Sequence, residues 1–253
     1  MVLKAHELEV QHIQFGKLED NSLVQSQKLA FISYKEPKAR LVVQTPEFLT
    51  ETYGIPREGP FYSTPKSRAF FKLPFCHERH MHEGEVDYAQ IEHFYKKLQE
   101  IDKYCDTDEF RAHMFGEKFA KKYEYQPLIR TAEEEDPENP KDETKTYYRP
   151  PYTKVKLDLF HDTEKPNFRL FDKSSGQRQE VPLTSFNDVL QHMRFMSKHR
   201  MVIHFSKLYA MKTSSGSDKR KYGIVLKATA VECVNKSLPK ADRDADLFSD
   251  YIF

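Results

Sequence analysis

The sequence predicts a mixed fold, mainly β with helices, whose C-terminal part forms a small barrel. Three patterns support this prediction. Residues 154–160 (KVKLDLF) alternate apolar and polar side chains, as a half-buried strand does. Two short runs, 167–172 and 178–183, flank a Lys-Ser-Ser-Gly turn, which indicates a hairpin. A helical segment is then followed by two long apolar runs, 201–211 and 221–234.

The order of these elements suggests a particular barrel. From residue 152 onward, three strands are followed by one helix and then two strands. The helix is expected to begin after Ser185, because Ser185 to Asp188 resembles a capping box, and to extend to about Lys198. This order is that of the OB-fold, a five-stranded Greek-key barrel. We therefore predict an OB-fold core over residues 147–235.

The preceding residues are predicted to elaborate this core. Residues 1–28 show no clear period and are expected to form a loose N-terminal arm. Residues 29–130 are expected to pack on the barrel as strands and helices. Apolar residues at three- and four-residue steps from Ile91 to Cys105 indicate an amphipathic helix. The expected elements are a hairpin at 29–34 and 40–45, a strand at 68–75, a helix at 86–105, and a second helix from the cap Thr107 to about 122.

Composition narrows the class of protein. No apolar run approaches the length of a membrane span, and the first ten residues lack the apolar core of a secretory signal. Three scattered cysteines form no disulfide framework, which favours a reducing compartment. We therefore expect an intracellular protein that is neither secreted nor bound to a membrane.

The formal net charge of +1 conceals an uneven distribution. Residues 131–146 are predicted to form an acidic loop, and residues 236–253 an acidic tail rich in aromatic residues. Setting aside 133–143 and 240–253 leaves 37 basic and 28 acidic residues, a charge of +9. A basic body suggests a polyanionic partner.

An OB barrel binds oligonucleotides across its second and third strands, clamped by two loops. In this sequence, basic and aromatic residues alternate along those elements, a pattern suited to phosphates and stacked bases of a single strand. The alternative for each ring is a place in the core, and for the basic loop a solvated turn. The candidate binding residues are Lys154, Lys156, Phe168, Arg169, Phe171, Lys207, Tyr209, Lys212, Lys219, Arg220, Lys221 and Tyr222, with Tyr148, Arg149 and Tyr152 ahead of the barrel.

The tail is the second candidate for a functional segment. Its last ten residues combine acids with large apolar side chains, which suits a docking segment for partner proteins better than a frayed end. The tail residues expected to contact partners, such as replication or repair proteins, are Asp246, Leu247, Phe248, Asp250, Tyr251 and Phe253.

Signatures of enzymes are absent from the sequence, including nucleotide-binding glycine loops and hydrolase motifs. We expect neither catalysis nor a cofactor. Residues 76–83 concentrate Cys76, His77, His80 and His82, which could hold zinc, but their spacing matches no familiar zinc signature. A polar loop is the preferred interpretation, and we expect no metal.

Four segments together resemble a known family. Residues 44–55 (QTPEFLTETYGI), 66–75, 148–159 (YRPPYTKVKLDL) and 207–234 are similar, in this order, to the single-stranded-DNA-binding proteins of nucleocytoplasmic large DNA viruses. The resemblance implies an OB-fold core, a role in viral DNA replication, recombination or repair, and a location in the host cytoplasm or nucleus.

The sequence therefore predicts a non-enzymatic protein that binds single-stranded DNA, or RNA, without sequence preference. The mechanism would be electrostatic capture followed by base stacking, so that affinity falls steeply with salt. One alternative is a protein-interaction scaffold or virion component that recruits partners through the acidic aromatic tail. Another is a metal-dependent nuclease, since carboxylates are plentiful.

Overall fold

The computed structural model describes residues 2–50, 54–75, 87–131, 150–214, 216 and 218–235, and the structural statements below concern these residues. The strands are β1 (Leu3–Lys4), β2 (Ile13–Phe15), β3 (Glu19–Asp20), β4 (Gln27–Tyr34), β5 (Glu36–Arg40), β6 (Val42–Gln44), β7 (Phe48–Leu49), β8 (Phe70–Pro74), β9 (Tyr123–Gln126), β10 (Ile129–Arg130), β11 (Tyr152–Lys156), β12 (Arg169–Asp172), β13 (Gln179–Val181), β14 (Lys198–Met211) and β15 (Arg220–Asn235). The helices are α1 (Pro65–Arg68), α2 (Tyr88–Cys105), α3 (Asp108–Phe115), α4 (Glu117–Ala120) and α5 (Phe186–His192). The prediction of a mainly β protein with helices is confirmed.

Two long antiparallel strands, β14 and β15, form the centre of the sheet. Buried and partly exposed residues alternate along β14, so that Met201, Ile203 and Phe205 point into the core. This period of two is what the apolar runs in the sequence predict. The edge of β14 that faces away from β15 pairs antiparallel with β4, β6 and β7 at successive points along its length.

The other edge of β15 is shared by three parallel partners. From its beginning to its end, it pairs with β9, then β11, then β12. On the far side of β11, β8 pairs antiparallel, with Lys154 opposite Lys72. A second short strand, β10, also pairs with β11. As a result, strands from the middle and C-terminal parts of the chain meet at β15, and the N-terminal strands β4, β6 and β7 join the sheet through β14.

The predicted helices are confirmed in position and differ in length. In α2 the residues Ile91, Phe94, Leu98, Ile101 and Cys105 are all buried, as their spacing predicts. Thr107 caps α3 by accepting a hydrogen bond from the Phe110 backbone N–H at 3.1 Å. This second helix is interrupted at Gly116, whose φ of 78° takes the backbone out of the helical region. The structure also has the predicted capping box, in which Asp188 accepts from the Ser185 backbone N–H at 2.8 Å.

The structure of residues 2–28 differs from the loose N-terminal arm that the sequence predicts. These residues pack on the sheet through Leu8, which is fully buried, and through Ile13 on β2, which pairs with β4. The prediction of a loose arm is therefore wrong for these residues. The hairpin predicted around residue 37 is present as β4 and β5, while the residues beyond it, in β6, pair with β14 instead.

The five-stranded barrel over 147–235 is not confirmed. The predicted order of three strands, one helix and two strands is present from β11 to β15. Among the described residues, however, β11 pairs with β8, β10 and β15, and β12 pairs with β13 and β15. A barrel made of these five strands alone would need β11 beside β12 and β14. The N-terminal strands therefore belong to the same sheet rather than packing on a separate core.

Candidate functional site

The solvent side of the sheet carries a cluster of cations that we call the basic face. Its members come from five strands: Lys72 of β8, Arg130 of β10, Lys154 and Lys156 of β11, Lys207 of β14 and Lys227 of β15. On β11, Lys154 and Lys156 alternate with Val155, which is fully buried. Strand register then brings the cations together, because Lys154 lies opposite Lys72 and Lys156 lies beside Lys227.

Lys154 is at one end of the basic face. The residue is exposed, but its Nζ lies 3.9 Å from the centroid of the Phe70 ring. Partial burial, with the charges of Arg130 and Lys72 nearby, lowers the pKa of Lys154 to about 8. Below this pKa the protein holds three cations close together, and a bound anion would relieve their repulsion.

At the other end, Asp158 lies among three lysines. Its carboxylate accepts hydrogen bonds from Lys156 at 3.0 Å and from Lys227. Burial alone would raise the pKa of Asp158, but these two hydrogen bonds outweigh it and the pKa lies below its ordinary value. Burial also lowers the pKa of Lys207, and Lys227 and Lys156 add to that effect.

Tyr209 is the aromatic residue beside this face. Its ring is partly exposed and packs across Gly223 of β15, where an added Cβ would lie 3.2 Å from the Tyr209 Cε1 and 2.9 Å from the Gln126 backbone oxygen. Burial raises the pKa of Tyr209, and the nearby charge of Arg130 opposes the shift. Tyr209 is therefore a ring within reach of the basic face.

The predicted residues of the β12–β13 hairpin lie elsewhere, and the two aromatic rings among them are largely covered. Phe168 and Phe171 are each 8% exposed, so neither presents a free face for stacking. The guanidinium groups of Arg169 and Arg178 lie 4.8 and 3.8 Å from the Phe171 ring centroid. Arg169 in turn makes a two-point ion pair with Glu180 at 2.8 and 2.6 Å. The assignment of these two rings to a binding surface is wrong in this conformation.

Two predicted tyrosines belong to the core. Tyr222 is fully buried, and its hydroxyl donates a hydrogen bond to the Cys105 backbone oxygen at 2.6 Å. Tyr152 is 1% exposed and lies beneath Lys72, whose Nζ is 4.9 Å from its ring centroid. Alternation explains Tyr222, which shares its side of β15 with the buried Leu226. Tyr152 instead lies on the same side of β11 as Lys154 and Lys156, and its burial comes from cover by neighbouring side chains such as Lys72.

The basic residues predicted around the β14–β15 loop differ in their exposure and in their contacts. Lys219 and Lys221 are exposed. Lys212 is ion-paired with Asp20 at 2.6 Å. Arg220 is partly exposed, and its guanidinium lies 5.8 Å from the Tyr123 ring centroid.

Several predicted residues lie outside the described part of the chain. These are Tyr148 and Arg149, all six tail residues, the acidic loop beyond residue 131, and the cluster from Cys76 to His82. Within the described ranges, no group of three or more His, Cys, Asp or Glu side chains is placed to hold a metal ion.

Sequence reasoning missed half of the basic face. Lys72, Arg130 and Lys227 were not among the predicted residues. Lys72 could have been found, because it is the polar residue in the apolar strand 68–75 and must face outward. Arg130 and Lys227 join the cluster only because their strands, β10 and β15, pair with β11, which no local pattern reveals.

No family model matches the chain. The chain is similar to the protein named "Uncharacterized protein R505" of Acanthamoeba polyphaga mimivirus, with 26% identity over 229 residues. That alignment covers 80% of this chain and 54% of R505, so the chain spans about half the length of this relative. None of the helices in the described residues is long and apolar enough to cross a membrane.

Proposed function

We propose that the chain binds single-stranded nucleic acid, DNA foremost, through the basic face, without sequence preference and without catalysis. The observation that carries the proposal is the gathering, in the described structure, of six cations from five strands, with Lys154 beside two other cations at one end and three lysines around Asp158 at the other. Their mutual repulsion is a cost that phosphates would remove. The mimivirus relative supports a viral setting, in which the protein would act inside the host cell during DNA replication, recombination or repair.

A linear polyanion suits this face better than a small anion. The cations follow strands β8, β11 and β14, so their charges are spread across neighbouring strands rather than focused on one point. Each Lys or Arg that neutralises a phosphate releases counterions, which favours binding at low salt. Tyr209, and Phe61 with 60% of its surface exposed, are rings on which bases could stack.

We further propose an OB-type connectivity, built from other strands than those the sequence predicts. The five would be β6 with β7, then β8, β11, β14 and β15. In support, β14 pairs antiparallel with both β6–β7 and β15, and β11 lies between β15 and β8. Helix α5 precedes the fourth of these strands. The second and third strands, which bind ligands in OB-folds, would then carry Lys72 and Lys154.

A fluorescent oligothymidine titrated with the full chain at several salt concentrations tests this function. We expect micromolar or tighter binding at about 50 mM salt, and a large loss of affinity at about 200 mM. A duplex of equal length is the control and should bind more weakly, because its bases are not available for stacking.

Other outcomes of the same titration favour the alternatives. A protein-interaction scaffold predicts no micromolar binding at low salt. A nuclease predicts that the oligonucleotide is degraded when magnesium or manganese is added, whereas a binder leaves it intact. Binding that does not change with salt would contradict electrostatic capture.

A further inference from the structure

An open cleft with a volume of about 710 Å³ lies at the beginning of β15, away from the basic face. Arg220 lines this cleft, whereas the next residue, Lys221, points to the opposite side of the strand. The lining combines basic, aromatic and other apolar side chains: Phe15, Gly16, Lys17, Leu18, Lys28, His113, Met114, Phe115, Phe119, Tyr123, Lys212 and Arg220.

The aromatic side of the cleft is built by helices α3 and α4 against β9. Phe115 and Tyr123 stack on each other with ring centroids 3.7 Å apart and planes inclined by 8°. Phe119 remains 44% exposed, with the Nζ atoms of Lys118 and Lys122 at 6.0 and 5.4 Å from its ring centroid. An exposed phenyl ring with two cations near it is a suitable surface for a flat ligand that carries negative charge.

The cleft is also lined by four cations. Lys17, Lys28, Lys212 and Arg220 come from separate elements, and none of the twelve lining residues, all within the described ranges, is acidic. Asp20 lies at the rim, where it pairs with Lys212 at 2.6 Å. Its hydrogen bond with Lys212 lowers the pKa of Asp20, and the charge of Lys28 contributes. The local carboxylate therefore occupies a place that a phosphate could take.

We propose that this cleft binds a nucleotide, with the base against the ring of Phe119 and the phosphate among Lys28, Lys212 and Arg220. The volume lies within the range of about 300–1,000 Å³ that small-molecule sites occupy. The choice of a nucleotide rather than an acidic peptide rests on the function proposed above. Arg220 and Lys212 also flank the β14–β15 loop, so a strand bound on the basic face could continue around it into the cleft.

Met114 provides a reporter, because it lines the cleft and its methyl group can be observed by NMR in the full chain. Thymidine 5′-monophosphate is the probe, and thymidine and inorganic phosphate are the controls. We expect a saturable shift of the Met114 methyl signal with a Kd of about 1 mM or tighter, and weaker responses to either control. Loss of the signal in Met114→Leu assigns the resonance.

Three variants test the geometry. Phe119→Ala removes an exposed ring and should weaken the nucleotide about fivefold or more, with the melting temperature nearly unchanged. Arg220→Gln should also weaken it several-fold. Asp20→Asn removes the competing carboxylate and should strengthen binding about twofold or more.

The nucleotide experiment on the cleft can fail or succeed independently of the oligothymidine titration on the basic face. Lys72→Gln with Lys154→Gln should weaken the oligonucleotide and leave the Met114 shift unchanged. If the nucleotide shifts the Met114 signal but the protein does not bind oligothymidine, the proposed function of the basic face is refuted and the cleft proposal stands. The cleft proposal fails if the Met114 methyl signal does not shift at about 10 mM nucleotide. It also fails if Phe119→Ala and Arg220→Gln each bind the nucleotide as tightly as the wild type does. It also fails if only a peptide of sequence DADLFSDYIF, residues 244–253, produces the shift.

Discussion

The β12–β13 hairpin and the basic face contain the same kinds of residue and differ in how the charges are arranged. On the hairpin side, Arg169 pairs with Glu180, and Arg178 pairs with Glu232 at 3.0 Å. On the basic face, Lys154 is surrounded by Arg130 and Lys72, which share its sign of charge. The hairpin arginines lie against carboxylates, whereas the charges of Arg130 and Lys72 act on Lys154 and help to lower its pKa.

The rings differ in the same way. Phe171 lies under two guanidinium groups and is 8% exposed, so its faces are used within the protein. Tyr209 is partly exposed and lies beside a surface with excess positive charge. A basic and aromatic composition therefore does not identify a binding surface. The proposal of a binding surface also needs to take account of the contacts of the charged groups and the exposure of the rings.

The largest expected effect is the loss of stability when Phe171 is replaced, which tests the difference between covered and exposed rings. We expect Phe171→Ala to lower the free energy of unfolding by about 3 kcal/mol, because the variant leaves a cavity beneath the two arginines. Its affinity for oligothymidine should change little. Tyr209→Ala should show the reverse, a smaller loss of stability and about fivefold weaker binding. Denaturant unfolding and the oligonucleotide titration measure both quantities, and equal effects of the two variants on affinity would remove the distinction.

Removing charge from each region is the next test. Lys72→Gln with Lys154→Gln should weaken oligothymidine about 10-fold at about 0.1 M salt, since two phosphate contacts are lost. The slope of log affinity against log salt should become shallower by about 0.7 for each contact. Arg169→Gln with Arg178→Gln removes the same charge from the hairpin and serves as the control, with a change below about twofold. A comparable loss in both double variants would mean that net charge, rather than the basic face, determines binding.

The lowered pKa of Lys154 predicts a dependence on pH. A bound phosphate favours the charged ammonium and raises its pKa, so binding takes up a proton between pH 8 and about 10. Affinity should therefore fall about fivefold as pH rises through this window, and less in Lys154→Gln. The stability of the free protein should change in the opposite direction. The folded state holds the Lys154 proton less tightly than the unfolded chain, so this residue destabilises the fold below about pH 8 and loses that effect as pH rises.

The titration in buffers of different ionisation enthalpy, followed by calorimetry, measures the proton uptake directly. Urea unfolding of wild type and Lys154→Gln at pH 7 and pH 9.5 measures the stability difference. No proton uptake near pH 9 would place Lys154 outside the interface.

The exposed lysines of the β14–β15 loop should show the smallest effect. Lys219→Glu and Lys221→Glu should each weaken oligothymidine about threefold, equally for all base sequences. They lie at the beginning of β15, away from the cluster around Lys154. A larger loss here than in the Lys72 and Lys154 double variant would move the main contact from the basic face to the loop.

Local sequence patterns predicted the positions of helices and strands well, and predicted which strands pair with each other poorly. The spacing of Ile91 to Cys105 and the capping residues Thr107 and Ser185 are short-range signals, and the helices they predict are present. The pairing of β8 with β11 joins residues about eighty positions apart, and no alternation pattern specifies such a partner. The predicted barrel and the hairpin binding site both depended on that missing information.

Burial of individual rings was unpredictable for a related reason. Alternation assigns Tyr222 to one of two faces, and only the helices packed above that face make it the core. For Phe171, the cover consists of long arginine side chains whose position depends on Glu180 and Glu232. Neither arrangement has a signature in the order of residues.

Gly223 adds a steric requirement to the proposed oligonucleotide surface, one that the charges of that surface do not show. With no side chain at this position, the aromatic plane of Tyr209 and the backbone of Gln126 both come close to the same Cα. A methyl group there would have to displace one of them, either tilting the ring or widening the gap to β9. If bases stack on Tyr209 as proposed, a mutation that adds one carbon at Gly223, and changes no ionisable group, would alter that stacking without contacting the ligand.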